Sequence, residues 1–187
     1  MIISFNGDHG SGKSTVAKKV AEKLNYPRYY MGQIFRKLAE EKGMLLSDFQ
    51  SLCDNDPSAD KKVDEYSIEL AKKEKDFVIE SRTYWYFVPD SIKIYLKVDE
   101  REAAKRILKE IDANAARKAE YKNLDSLESI IISERDRTAR DDKRYMQYYG
   151  INIRDEKNYD FVLDTSNLSK EEVFDKVMDF INSKNNV

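Results

Sequence analysis

Residues 1–24 read MIISFNGDHGSGKSTVAKKVAEKL, and the order of properties along them decides the fold. Ile2 to Asn6 is a short apolar run that ends at a glycine-rich loop, the pattern of a strand buried on both faces. From Lys13 onward the apolar residues Val16, Ala17, Val20, Ala21 and Leu24 recur at helical spacing, with Lys18, Lys19 and Lys23 outside that stripe. The loop between them, Gly7-Asp8-His9-Gly10-Ser11-Gly12-Lys13-Ser14, fits G-x-x-x-x-G-K-[ST] without a gap. Its glycines let backbone N–H groups approach phosphate oxygens, and Lys13 supplies a cation to the β and γ phosphates. The Ser14 hydroxyl suits Mg²⁺, and the helix that follows aims its positive end at the same anion. Asp8, His9, Gly10, Ser11 and Gly12 contribute mainly backbone. Thr15 supports the loop or caps the helix.

Working outward, three further runs read as strands, Phe77 to Ile79, Ile92 to Leu96 and Phe161 to Leu163, with Arg28 to Met31 a weaker fourth. Helical stripes fill the gaps: Ile34, Phe35, Leu38 and Ala39; Ala103, Ala104, Ile107, Leu108 and Ile111; Val173, Phe174, Val177, Met178 and Ile181. Strands alternating with helices predict an α/β fold, a parallel sheet with helices on both faces. Residues 33–74 hold several helical patterns between two strands, and 112–125 reads as a polar connector between helices; both are candidates to move over a ligand. Ser183 to Val187 reads as a frayed tail.

The chain has 187 residues, room for one domain, and 33 basic against 35 acidic residues give a net charge of −2. That balance argues against a nucleic-acid coat or a polybasic membrane binder. No apolar run reaches the roughly 20 residues of a membrane span, and the first residues lack a signal-type pattern. Cys53 stands alone, so no internal disulfide forms, and with the single His9 it cannot build a usual zinc site. A cytoplasmic protein is the expectation.

A phosphate loop alone does not separate kinases from GTPases or ATP-driven machines; the arginines say more. Arg36 falls on the first turns of a helix. Arg82 follows the strand ending at Glu80, at the carboxyl edge of the sheet where ligands of parallel sheets bind. Positions 137, 141 and 144 lie within about 60° of one another on a helix, so Arg137, Asp141 and Arg144 share a face. That face either clamps phosphates or is a solvated stripe with an i, i+4 pair. Glu80 could hold Mg²⁺-bound water or be a structural strand-end carboxylate. Tyr84-Trp85-Tyr86-Phe87 could stack on a base or form a packing patch. Tyr145, Tyr148 and Tyr149 would close a helix ahead of Gly150.

With these residues in place, the chain resembles the cytidylate kinases, in particular the short archaeal-type branch of the nucleoside monophosphate kinases. The resemblance spans nearly the whole chain. Beyond the first 24 residues it rests on GQIFRKLAEEKG, DPSADKKVDEYSIELAKK, VIESR, RTARDDKRYMQYYGI and YDFVLDTS, in that order. It implies a single P-loop kinase domain over 1–187 with a five-stranded parallel sheet. A helical monophosphate-binding region would span about 33–75 and a short lid about 112–138. The implied reaction uses ATP and Mg²⁺ to convert CMP or dCMP to CDP or dCDP, in a monomer that binds neither nucleic acid nor membrane. By the same resemblance Arg36 and Arg82 hold the acceptor phosphate, and Arg137 and Arg144 contact the phosphates in transfer. Asp141 takes the acidic position associated with the sugar. Lys13, Arg82, Arg137 and Arg144 are thus the expected catalytic residues. Arg106 matches a basic position near the lid, and Asp164-Thr165-Ser166 the loop near adenine. Ser14 and Glu80 are the expected metal-side residues.

The chain departs from the family pattern at Gln33, Ser81, Thr83 and Glu65, positions on the side that would read the nucleobase. Arg117 is the single arginine of the 112–125 connector. Competing readings are a kinase for another nucleotide or a small-molecule acceptor, a polynucleotide 5′-kinase, and an ATP-binding regulatory protein without turnover. A mere binder has no need to neutralise two anionic substrates, which the ordered arginines would do.

Overall fold

A computed structural model describes residues 1–54, 56–113, 124 and 126–185. The chain runs β1 (Ile2–Gly7), α1 (Lys13–Leu24), β2 (Arg28–Tyr30), α2 (Met31–Glu41), α3 (Leu46–Cys53), α4 (Ser58–Lys73), β3 (Phe77–Glu80), a short α5 (Tyr84–Phe87), β4 (Ile92–Lys97) and α6 (Glu100–Ala113). There follow α7 (Leu127–Tyr149), a 3₁₀ turn (Glu156–Asn158), β5 (Phe161–Asp164) and α8 (Lys170–Asn185). The five strands form one sheet in the order β2-β3-β1-β4-β5, and every pairing is parallel. The expected five-stranded α/β architecture is therefore present.

The central strand β1 places Ile3 opposite both Val78 and Ile92, and Phe5 opposite both Glu80 and Ile94. One face of the sheet offers Ile3, Phe5, Val78, Ile94 and Leu96 to the stripes of α1 and α8, with Val20, Val177 and Ile181 fully buried. The other face carries Phe77 and Ile79 against Met31, Val63, Leu70 and Tyr84 from α2, α4 and α5. Covering both faces is what requires strands to be near-continuous apolar runs. A separate small core, Ala39, Phe49, Cys53 and Ala59, holds α2, α3 and α4 together as a helical outwork of the sheet. The helices α2, α3 and α4 occupy the stretch between β2 and β3 where the sequence holds its helical patterns.

Three boundaries differ from the sequence reading. Met31 starts α2 instead of ending β2, because its side chain belongs to the core beneath α4. Residues 112 and 113 belong to α6, which shortens the polar connector; positions 114–123 and 125, Arg117 among them, lie outside the described residues. The helix α8 runs to Asn185 through most of what reads as a tail. The start of α7 is fixed by a reciprocal cap in which Ser126 Oγ accepts from Ser129 N and Ser129 Oγ accepts from Ser126 N. Its end is Gly150 with φ +68°, directly after the tyrosines expected to close it. Among the described residues no helix is long and apolar enough to cross a membrane.

Two glycines of the phosphate loop are fixed by neighbours, Gly7 by the Leu96 backbone of β4 and Gly10 by α6. A Cβ on Gly10, at φ +75°, would come within 2.8 Å of the Ala103 carbonyl oxygen and 2.9 Å of its Cα, where α6 passes the loop. Gly43, at φ +65°, has nothing within 4 Å. Gly43→Ala should therefore cost only the left-handed backbone penalty, about 1–2 kcal/mol, and Gly10→Ala clearly more. Chemical denaturation of both variants checks this, and equal losses would mean that α6 yields to the loop.

Candidate active site

The loop Gly7–Ser14 joins β1 to α1 at the carboxyl edge of the sheet. The N-cap of α1 is Gly12, and no side chain bonds to the first-turn N–H groups. Thr15 does not cap the helix; its side chain lines the cleft. Asp8 secures the loop from beneath, Oδ1 accepting from Tyr95 (2.7 Å) and Arg154 (2.8 Å), and Oδ2 from Val98 N (3.1 Å). Lys13 folds back so that Nζ donates to the Asp8 carbonyl at 2.9 Å. Burial, and then the charge of Arg82, hold Lys13 down at about 8, against the carboxylates Glu80 and Asp8. Among the described residues, Ser11 Oγ is buried without a hydrogen-bond partner. The loop thus concentrates donors of the kind that suit an anion.

Across the cleft, α7 presents the expected face, and the structure sorts its charges. Asp141 is 1 % exposed, and its Oδ1 accepts from Arg144 Nη2 at 2.9 Å. Its Oδ2 lies 2.8 Å from Arg82 Nη2. Burial alone would raise this carboxyl, but the charges of Arg82 and Arg144 outweigh it and hold the pKa low. Arg144, 2 % exposed, also lies 3.0 Å from Asp60 and 3.6 Å from Asp54. It sits behind the cleft wall, enclosed by three carboxylates, and its ring neighbour Tyr145 lines the cleft in its place. The i, i+4 pair between Arg137 and Asp141 does not form; Asp141 serves Arg82 and Arg144 instead. Arg137 lines the cleft with its Nε buried and without a hydrogen-bond partner, and its nearest acid is Glu134 at 3.9 Å. Arg140 points elsewhere, donating to Ser51 on α3 at 3.0 Å.

His9 links the two sides. Its Nε2 is 2.9 Å from Arg82 Nη2, and its Nδ1 is 2.7 Å from Glu134 Oε2 on α7. Arginine can only donate, so Nε2 accepts and the proton sits on Nδ1, facing Glu134. Burial, and then the charge of Arg137, lower His9 to about 3 despite Glu134, which keeps the ring neutral. The ring therefore orients Arg82, beyond the backbone part expected of it.

Glu80 is buried at the end of β3, where Oε2 accepts from Ser14 Oγ at 2.6 Å and Oε1 from Arg28 of β2. Arg36 lines the cleft and donates to Tyr30 OH at 2.9 Å, stacked over its ring. Arg106 does not face the cleft. It donates to Thr165 Oγ1 (3.1 Å), the Thr165 carbonyl (2.8 Å) and the Ser166 carbonyl (3.3 Å). Thr165 Oγ1 reaches in turn to the Ser11 and Lys97 carbonyls, both 3.1 Å away, so this cluster braces the phosphate loop. Of the departures from the family pattern, Gln33 and Glu65 are exposed and away from the cleft, whereas Ser81 and Thr83 line it. The aromatic run 84–87 packs: Tyr84 is fully buried, and Trp85 lies against Tyr86 and Tyr159.

Several residues of this site escape sequence reading. Asn6 Oδ1 accepts from Gly7 N at 2.8 Å, while Nδ2 reaches the Tyr159 hydroxyl (2.6 Å) and the carbonyls of Ile153 (3.1 Å) and Arg82 (3.3 Å). The catalytic-edge arginine is thus pinned through the central strand. The available signal was a polar side chain in an otherwise apolar strand. Arg154, Asp60 and Asp64 gave none, since their partners are distant in sequence.

Residues 3–128 match the AAA domain family. The cytidylate kinase of Pyrococcus horikoshii is 36 % identical over 93 % of this chain and 84 % of its own. The chain belongs to the cytidylate kinase family. It is accordingly an enzyme of the nucleoside monophosphate kinase class. The S-adenosylmethionine-dependent nucleotide dehydratase of Lacinutrix mariniflava is 33 % identical over 99 % of this chain, which spans 37 % of that longer protein. The shikimate kinase of Bacteroides thetaiotaomicron has the same fold, with a TM-score of 0.65 at 12 % identity over 97 % of this chain and 98 % of its own.

This kinase site separates arginines that hold structure from one held ready. Arg144→Ala strips the buried Asp60 of its ion-pair partner and Asp141 of one of two, and should cost about 3–5 kcal/mol. Arg137→Ala removes a poorly partnered group and should cost less than about 1 kcal/mol. Urea unfolding of both variants decides it, and similar losses would contradict this division.

Proposed function

We propose that the protein transfers the γ-phosphoryl group of ATP to the 5′-phosphate of CMP or dCMP, giving ADP and CDP or dCDP. The observation that carries this reading is one cleft lined both by the loop with Lys13 and by Arg36, Arg82 and Arg137. Two anionic substrates repel, and guanidiniums fixed on both sides of the reacting phosphates offset that repulsion while aligning donor and acceptor. The family relationship supports a nucleoside monophosphate as the acceptor.

In this reading the loop backbone, Lys13 and Thr15 hold the ATP phosphates. Arg82, fixed between His9 and Asp141, and Arg137 meet the phosphoryl group in transfer. Arg36 binds the acceptor phosphate. Asp141 and Arg144 are positioning residues, and the brace of Arg106, Thr165 and Ser166 sets the adenine side of the loop. One hydroxyl and one carboxylate, Ser14 and Glu80, make a hard-oxygen pair of the kind Mg²⁺ accepts alongside phosphate and water, so these residues fit the ion. Bound there, Mg²⁺ would offset charge on the phosphate oxygens.

The test is ADP release from ATP and Mg²⁺ with each nucleoside monophosphate in turn, acceptor-free hydrolysis subtracted. CMP or dCMP should stand well above the rest, and Lys13→Ala should abolish transfer. Another winning acceptor would overturn the cytosine assignment, and no acceptor-dependent ADP would overturn the kinase reading. Lys13 also predicts a pH dependence. Bound polyphosphate favours the charged ammonium, so ATP affinity should be level below about pH 8 and weaken above it by up to about tenfold per pH unit. Titration calorimetry reads this, and a level affinity through pH 10 would remove Lys13 from binding.

A further inference from the structure

One buried acid at the acceptor end of the cleft has no cation. Asp64, on α4, is 5 % exposed and lines the cleft beside Arg82, Thr83 and Tyr145. Its oxygens are held by hydroxyls alone: Thr83 Oγ1 donates to Oδ1, and Tyr149 OH donates to Oδ2 at 2.6 Å. Among the described residues no ion pair reaches it, whereas Asp60, one turn earlier, has Arg144 at 3.0 Å. A carboxylate buried without a cation is costly and is retained where a ligand completes it. The two hydroxyls spend their protons on it and fix its plane. Each oxygen keeps a second lone pair, so the group offers the cleft acceptors and no donor while ionised.

We propose that Asp64 is the specificity-determining residue for the acceptor base, its carboxylate accepting a hydrogen bond from the exocyclic 4-amino group of cytosine. This rests on the reading of the acceptor as a nucleoside monophosphate. Uracil and thymine carry a carbonyl at that position, which sets oxygen against oxygen and leaves the buried carboxylate unpaired. A site built to pair with an N–H rejects an analogue lacking it far more strongly than an apolar pocket rejects a change of size. Thr83 serves to orient Asp64.

The arrangement has a pH signature. Burial raises the Asp64 carboxyl to about 6 against the bonds from Thr83 and Tyr149, and the charge of Asp60 adds to the rise. The titratable groups facing it are Tyr149 from α7 and Asp60 from its own helix. Above about pH 6 the carboxylate accepts from cytosine; below it, the carboxyl proton can be donated to the uracil carbonyl. The 5′-phosphates of CMP and UMP titrate alike, so the ratio of their kcat/KM values isolates Asp64.

The experiment measures kcat/KM for CMP, dCMP and UMP between about pH 5 and 8, with the intact protein and with Asp64→Asn and Thr83→Val. The intact protein should prefer CMP to UMP by about 100-fold or more at the upper end, with the ratio falling toward pH 5. Asp64→Asn, whose amide both donates and accepts, should bring the ratio below about tenfold and make it independent of pH, with the KM for ATP unchanged. Thr83→Val leaves the carboxylate but removes a bond that stabilises its charge, so the midpoint should move above about pH 6. An unchanged ratio in Asp64→Asn, or a change confined to CMP against dCMP, would overturn the proposal while leaving the kinase reading intact. Failure of every monophosphate with the intact protein would overturn both.

Discussion

The site depends on the burial of one carboxylate between two guanidiniums. Asp141 has almost no contact with water, and its two oxygens face Arg82 and Arg144 separately. Removing three charges from water costs several kcal/mol per ion, and only close pairing offsets that cost. The pairing therefore fixes Arg82 to α7 on one side, while Asn6 and the backbone of β3 fix it to the sheet on the other. An arginine at the edge of a sheet would otherwise sample many rotamers. Here its head is held by Asp141 and by the neutral ring of His9. Arg144, with Asp60 and Asp54 around it, seats α7 on the helical region and does not reach the cleft.

The same economy of charge explains why the arginines differ in state. Arg82 and Arg144 each lie within 3.0 Å of a buried carboxylate, whereas the ion pair of Arg137 with Glu134 is 3.9 Å long. Lys13 is crowded by Arg82 and has a lowered pKa. A cleft with surplus donors and a strained ammonium is one that gains from an incoming polyanion. The same surplus raises the cost of the free state, so phosphate binding and the ordering of these side chains are coupled. At the far end the balance reverses, and Asp64 leaves an acceptor without a cation. One end of the cleft therefore suits phosphate and the other suits an N–H donor.

Much of this was legible in the sequence, and the reasons are specific. The apolar run Ile2 to Asn6, the glycine loop and the stripe from Val16 to Leu24 are local patterns, and they place the phosphate end correctly. The shared face of Arg137, Asp141 and Arg144 followed from helical spacing alone. What the face does was not legible, because Asp141 meets Arg82, 59 residues earlier in the chain, and Arg144 meets Asp60. Periodicity carries no record of such partners. His9 sat in a loop position defined by its backbone, so its ring contacts were invisible until α7 was placed. Arg106 was expected on the nucleotide side, and its guanidinium braces the backbone of Thr165 and Ser166 beside the loop. Its charge was visible in the sequence, and the direction of its side chain was not.

The measurement closest to the centre of this account is the single-turnover rate of phosphoryl transfer in Asp141→Asn, taken where circular dichroism shows the variant folded and ATP and acceptor are saturating. The substitution preserves shape and removes the charge that holds Arg82. The account predicts a rate about 10²-fold lower with ATP affinity unchanged, since a misplaced arginine fails at the transfer step more than at nucleotide binding. A folded Asp141→Asn variant that transfers at the native rate would contradict it.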